Sequence, residues 1–357
     1  MRLRRSTLLV VLLTLEAGAA CRVTAERVPR KIGSLEGVRA PWSMAVEGND
    51  LFVAGEDHAV RVYSLEPFSC LFAIGEKGEG PRDLRSSPLL WAAGDSIFAS
   101  DFVKTLRFAR DGRLLEAIPY SGFPDFDPRQ VTLLFPAGDR YVRTVSNHPE
   151  RKSTVALFDR ERRPIATLYE GLFDWNQTGG PNGFNPLPHR IEVAVGGDEI
   201  FVSDTDKGLF IRVFDLDGKE RATIDLTATE ATVPVSEGDK ARLLEDIRLT
   251  RSESVHAFAK ANARFPDAFP RIHEMRYADG RLYITTHREK GGLHELLVLD
   301  TRGKILDRLY LRLPSFHHFR GAVRSDLFDV TGGALYELVQ NAETRAWDVL
   351  RTDLSHR

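Results

Sequence analysis

The sequence predicts an all-β ring of six modules, each a small four-stranded antiparallel sheet. Three observations carry this prediction. A turn pair leading into an apolar-aromatic strand recurs six times, as GNDLFVA (48–54), GDSIFAS (94–100), GDRYVRT (138–144), GDEIFVS (197–203), DGRLYIT (279–285) and GGALYEL (332–338). A second alternating run follows each copy, in order AVRVYSL, TLRFARD, TVALFDR, IRVFDLD, ELLVLDT and WDVLRTD. Further apolar runs precede every turn pair and follow most of the second runs, which gives four strands per unit at a spacing of about 40–45 residues. Packing such units radially buries both apolar faces of every sheet and leaves few free edges. That arrangement is a six-bladed β-propeller. The repeated aromatics, Phe52, Phe98, Tyr141, Phe201, Tyr283 and Tyr336, are expected at one common position.

At the N-terminus, Arg2, Arg4 and Arg5 precede the apolar run Thr7–Leu15 and the small-residue stretch EAGAA. This is the pattern of a secretory signal, assigned to residues 1–20. As a helix its nine apolar residues rise about 14 Å, against the roughly 30 Å of a bilayer core. Cys21 directly follows Gly18-Ala19-Ala20, a stretch that resembles the lipobox of bacterial lipoproteins. The resemblance implies a mature chain of 21–357, lipidated at Cys21. It would be exported to the bacterial cell envelope, as a membrane-anchored lipoprotein or in the periplasm, and would touch the membrane only through that anchor. The other cysteine, Cys70, lies in an apolar strand pattern and is expected to be a buried, inert thiol.

The sixth unit ends at RTDLSHR without an outermost strand. The β-like segment 27–35, RVPRKIGSL, is expected to supply it and so close the ring. Between the first and second units runs GEKGEGPRDL (75–84). A chain leaving an outermost strand must cross three inter-strand gaps, about 14 Å, to start the next innermost strand. The glycines permit tight turns and Pro81 stops strand continuation. A phosphate loop is excluded, because Pro81-Arg82 stands where Lys-Ser/Thr would be needed. IGEKGEGPRDL resembles the signature turn of NHL-like and TolB-like propellers exported by bacteria. Gly75, Gly78, Gly80 and Pro81 match, with Leu84 in place of the usual aromatic. The resemblance implies an architecture for nearly all of the mature chain and no particular activity.

Residues 228–270 form the longest insertion, between blades 4 and 5. Ser236 with Asp239 three residues later opens one helical pattern, with Leu243, Leu244 and Ile247 on one face. Ser252 opens a second that ends before Pro266. An α-helical hairpin over the propeller is expected.

The formal net charge of −2, with signs mixed throughout, offers no basic field for nucleic acid or an anionic membrane. Long connections at 119–130, 169–190, 225–271 and 310–322 fall on one face, where a binding site is expected around the channel mouth. Trp42, His189, Arg190, His273, His317, His318 and Arg320 precede or enter innermost strands there. His189, His273 and His317 are candidate ligands for a divalent metal, zinc or calcium. In this they are similar to the three zinc-holding histidines of one class of six-bladed lyase. Glu192 and Glu274 also enter innermost strands, but few asparagines accompany them, so the channel-facing ring of Glu, Asn and Asp of calcium-dependent propeller lactonases is not matched. HELLV (294–298) lacks the second histidine of a zincin motif, and no Gly-x-Ser-x-Gly occurs. The expectation is a non-enzymatic scaffold that binds a small ligand or protein on its loop-rich face. The alternative is a metal-dependent hydrolase or lyase at the channel mouth.

Overall fold

Strands that are apolar on both faces need a neighbouring sheet on either side. The computed structural model, which describes residues 27–127, 130–147, 150–172, 183–319 and 327–355, meets that need with six four-stranded antiparallel blades. After β1 (Arg30–Leu35), blade 1 is β2 (Pro41–Glu47), β3 (Asp50–Gly55), β4 (Val60–Leu65) and β5 (Phe68–Ile74). Blade 2 is β6 (Leu89–Ala93), β7 (Ser96–Ser100), β8 (Lys104–Ala109) and β9 (Leu114–Pro119). Blade 3 is β10 (Val131–Ala137), β11 (Arg140–Asn147), β12 (Lys152–Phe158) and β13 (Pro164–Leu172). Blade 4 is β14 (Ile191–Gly196), β15 (Glu199–Asp204), β16 (Phe210–Asp215) and β17 (Glu220–Asp225). The helices α1 (Glu237–Thr250) and α2 (Glu253–Asn262) follow. Blade 5 is β18 (Glu274–Ala278), β19 (Arg281–Lys290), β20 (Leu293–Asp300) and β21 (Ile305–Leu311). Blade 6 takes β22 (Phe328–Thr331), β23 (Ala334–Gln340) and β24 (Trp347–Asp353), with β1 as its fourth strand.

The core is a set of seams between blades. In β3, Leu51 and Val53 pack toward Tyr336 and Leu338 of blade 6, while Phe52 and Ala54 pack toward Ile97 and Leu106 of blade 2. Comparable apolar clusters fill the remaining blade interfaces. The repeated aromatics Phe52, Phe201, Tyr283 and Tyr336 all point to the following blade. Tyr141 does not share their position. It stands one residue nearer its turn, where the other copies carry Leu51, Ile97 or Ile200, and it packs back toward Tyr120 and Ile118 of blade 2. A one-residue offset in a strand moves a side chain to the opposite face. Val142 fills the forward seam instead.

The ring closes where β1 pairs antiparallel with β24, from Arg30 opposite Arg351 to Leu35 opposite Trp347. Gly33 is required there by proximity: a Cβ would stand 2.1 Å from the Phe68 ring, which itself stacks on Tyr63 at 5.6 Å. Lys31 and Ser34 both reach the Asp348 carboxylate at 2.8 Å, tying the two ends of the chain together.

In the crossing from blade 1 to blade 2, the Asp83 carboxylate accepts from the Gly80 N–H at 2.8 Å. Leu84 inserts, fully buried, into the seam between those blades. Cys70 departs from expectation and is exposed. It lies on β5, the outermost strand of its blade, where most side chains face solvent.

Candidate functional site

Six innermost strands turn their unpaired backbone edges toward the axis, so polar groups on the axis must satisfy or neutralise one another. A cavity of about 570 Å³ occupies this channel, and β2, β6, β10, β14, β18 and β22 all contribute to its wall. It extends from Leu89, Arg190 and Glu274 at the beginnings of innermost strands to Glu47, Gly94, Gly197 and Asp279 at the short turns beyond their ends. The site therefore spans the ring instead of being confined to the loop-rich mouth.

Aromatic side chains line the cavity on both sides of the ring. Trp91 of β6 meets Phe135 of β10 edge to face with centroids 5.0 Å apart. Tyr277 of β18 stacks on Phe201 at 5.6 Å and lies over Gly196, where a Cβ would come within 1.7 Å of its ring. Opposite charges form a ladder on the blade 4 to blade 6 side. Arg190 donates to the His273 carbonyl at 2.8 Å and stands 3.5 Å from Glu192. Arg276 pairs with Glu274 at 2.5 Å and with Asp329 at 3.5 Å. Asp329 accepts from the Val46 N–H at 2.8 Å, bridging blade 6 to the free edge of blade 1. Burial raises the Asp329 carboxyl above its ordinary range, although Arg276 opposes the change. Burial also raises Glu47; Arg110 offsets part of this, and the carboxylates of Asp329, Asp279 and Asp95 add to it.

Of the residues singled out in the sequence, Arg190 lines this cavity, as do Glu192 and Glu274. Trp42 is half-buried on β2, away from the lining, and its indole nitrogen is enclosed without a hydrogen-bond partner. His189 has Nδ1 3.3 Å from Asp206. Arg320 lies outside the described residues.

The remaining histidines form a separate cluster under the helical hairpin. His273 is fully buried, with Nε2 donating to the His317 carbonyl at 2.9 Å and Nδ1 facing Thr285 Oγ1 at 3.3 Å. Both its ring nitrogens are thus engaged. His318 donates through Nε2 to Glu289 at 2.9 Å, which leaves its Nδ1 to accept from His287 at 3.2 Å. Phe269 stacks on His287 and Phe316 on His294, with centroids 4.4 and 4.0 Å apart. Burial pushes His294 down to about 4 and lowers His318, outweighing the attraction of Glu289. His317 stands 3.3 Å from Asp246 of α1. His273 and His317 are thus neighbours through the His317 carbonyl, while the His189 and His317 rings face different carboxylates, Asp206 and Asp246. Among the described residues no group of three or more His, Cys, Asp or Glu side chains is disposed to hold a metal ion.

The hairpin itself begins with a capping box, in which the Asp239 N–H donates to Ser236 Oγ and the Ser236 N–H to Asp239 Oδ2. Leu243, Ile247 and Ala259 are fully buried with Phe184 and Leu187 from the blade 3–4 crossing and Phe319 from the blade 5–6 crossing. Arg242 clamps Glu289 at 3.0 Å through both carboxylate oxygens. At the insertion's root, Glu230 binds Arg288 at 3.0 Å and Arg308 at 2.6 Å. The helices thus tie three crossings of the loop-rich face to one another.

The residues that sequence reasoning missed in the channel are Trp91, Phe135, Tyr277, Arg276 and Asp329. A usable signal was present for the last two. HEMRYAD and DLFDVTG carry a charge in the middle of an innermost strand, a placement that a polar channel tolerates.

These features define a six-bladed propeller with a cavity of ligand size on its axis. No protein-family model matches the chain, and no curated protein does. Solved structures are similar in fold. A protein of Bacteroides fragilis described as exported is 11% identical with a TM-score of 0.53, over 93% of this chain and 95% of its own. BamB from Moraxella catarrhalis is 10% identical with a TM-score of 0.35, over 93% of each chain. The computationally designed Ika8 protein is 8% identical with a TM-score of 0.39, over 87% of this chain and 70% of its own.

Proposed function

We propose that this chain is an exported, lipid-anchored binding propeller that takes a small ligand into its central channel. The cavity carries the reading. Its volume of about 570 Å³ lies within the roughly 300–1,000 Å³ of small-molecule sites. Its wall combines apolar and aromatic side chains with charged ones, so it can both cover and orient a small molecule. Export and anchoring rest on the leader and on Cys21. The NHL-like turn at 75–84 agrees with an exported propeller.

Two measurements test this reading. Protein purified from its host membranes is examined by native mass spectrometry for a retained small molecule, alongside Ala93→Trp. Ala93 is an exposed residue on the cavity wall, so the indole obstructs the channel without entering a blade seam. A retained molecule that the variant loses supports the channel as the site; equal retention by both proteins overturns it. Labelling with radioactive palmitate tests the anchor, since the label should vanish in Cys21→Ser.

A further inference from the structure

Where the chain enters the ring fixes how an anchored propeller faces its membrane. Arg27 is tied into the fold. Its guanidinium donates to the Asp353 carbonyl at 2.8 Å and to the Ser355 carbonyl at 3.2 Å, and lies 4.0 Å from the Asp307 carboxylate of β21. Asp353 pairs with Ala334, and the Leu354 N–H donates to the Gly333 carbonyl, so these groups stand beside the β22–β23 turn. β1 then runs away from that turn, from Arg30 opposite Arg351 to Leu35 opposite Trp347. The N-terminal segment therefore joins the propeller on its short-turn face, at the corner of blades 5 and 6. The helical hairpin stands on the opposite face, packed on the blade 3–4 and blade 5–6 crossings.

Chain length decides between the two faces. Residues 21–26 separate the anchor site from Arg27, and fully extended they span about 21 Å at most. The seven residues of β24 alone rise about 20 Å from the turn face toward the loop-rich face. A helix lying on that face adds about 10 Å more. A leaflet against the hairpin would stand about 30 Å from Arg27, beyond the tether's reach. A leaflet against the turn face lies within it.

The corner itself suits a lipid surface. Val28, beside the tether, is 74% exposed, and Leu306, beside Asp307, is 43% exposed. Arg30 at the start of β1, and Arg302 and Lys304 just before β21, are exposed at the same end of these two strands. Apolar side chains there can dip between headgroups, and long basic ones can reach the phosphates. We infer that the lipid anchor on Cys21 holds the blade 5–6 corner of the short-turn face against a phospholipid leaflet, and turns the helical hairpin and the loop-rich mouth away from the membrane. The channel's end at Glu47 and Asp279 then faces lipid, and its end at Arg190 faces the aqueous side.

This inference rests on Cys21 carrying the anchor, and its test separates the two ideas. Cys70→Ser removes the exposed thiol. In that background Lys304→Cys marks the turn face and Lys260→Cys, on α2, marks the loop-rich face; both lysines are exposed. Each protein is purified from its host membranes, labelled with bimane and reconstituted into vesicles of phosphatidylcholine and phosphatidylglycerol that include a lipid with a nitroxide on its headgroup. The nitroxide should quench the label at 304 at least fivefold more than the label at 260. Inserting twelve Gly and Ser residues between Ala25 and Glu26 lengthens the tether to about 60 Å at full extension and should narrow that ratio to twofold or less. Cys21→Ser protein should stay behind when the vesicles are floated, with neither label quenched.

Equal quenching at the two positions, stronger quenching at 260, or a ratio that the insertion leaves unchanged overturns the orientation. The anchor reading survives each of these outcomes if flotation still depends on Cys21. Flotation of Cys21→Ser equal to that of wild type, or no flotation of either, overturns the anchor and the orientation together.

Discussion

Replacing Glu337 with glutamine should change how the protein's stability responds to pH. Glu337 sits on β23 with 1% of its surface exposed. Its Oε1 accepts from the Ser315 N–H and from the Ser315 hydroxyl, both at 2.7 Å, while Oε2 is enclosed without a hydrogen-bond partner. Burial raises its pKa from the ordinary 4.5 to about 7, and the two Ser315 bonds pull the other way without cancelling it. For an acid whose folded pKa lies above its unfolded value, the stabilisation is complete below the unfolded value. It is lost as pH rises through the folded one. From those two values, wild type should lose about 2.5 kcal/mol between pH 5 and pH 9 relative to a residue that cannot ionise.

Glu337→Gln keeps an acceptor for Ser315 and removes the charge. Urea unfolding of both proteins at pH 5, 7 and 9 provides the assay. Taking the difference cancels the titration of every other group. The variant's stability relative to wild type should climb with pH by about that amount, most of it between pH 5 and pH 7. A difference that stays constant to within about 0.5 kcal/mol, the usual effect of a bland surface change, would refute the reasoning.

Three further outcomes are expected. His294 is depressed to about 4, so its stabilising contribution is present above the unfolded value of 6.5 and fades as pH falls toward 4. Glu289, Arg242, His318 and Asp246 are the charged or titratable groups acting on it, and His294→Phe, keeping the stack on Phe316, should flatten the acid limb of the thermal-stability profile. Gly33→Val drives a side chain into the Phe68 ring; it should cost about 1–3 kcal/mol, the usual range for overpacking, and speed amide exchange in β1 and β24 before other strands. Gly196→Ala displaces Tyr277 from its stack on Phe201 and should lower ligand retention more than global stability, read by native mass spectrometry beside thermal melting.

The blades were legible because their signals are local. A period-two pattern bounded by Gly-Asn and Gly-Asp turns specifies a hairpin wherever it occurs, and six copies specify the ring. Even there, Tyr141 shows that matching letters is weaker than counting from the turn: one residue of offset reverses the seam it fills. Arg190 was recognisable because it enters an innermost strand at the end where the long loops arrive, while Glu192 and Glu274 were noticed there and set aside for want of accompanying asparagines. Trp91, Phe135 and Tyr277 were not, since an aromatic in an apolar strand reads equally well as seam packing. Only the curvature of the ring decides that they line the channel. His287 was missed because the β19–β20 hairpin runs past the length of its counterparts, placing both its imidazole and that of His294 under α1. No regular repeat predicts that extension. Cys70 misled because alternation shows that a strand has two faces and does not say which strand is outermost.

The claim that a ligand occupies the axis of this ring is tested most directly by a crystal structure of the protein purified from its host membranes. The account predicts density for a small molecule on the axis, against Trp91 and Phe135. Ligand density under the helical hairpin at His287 and His318, or a channel without density, would contradict it.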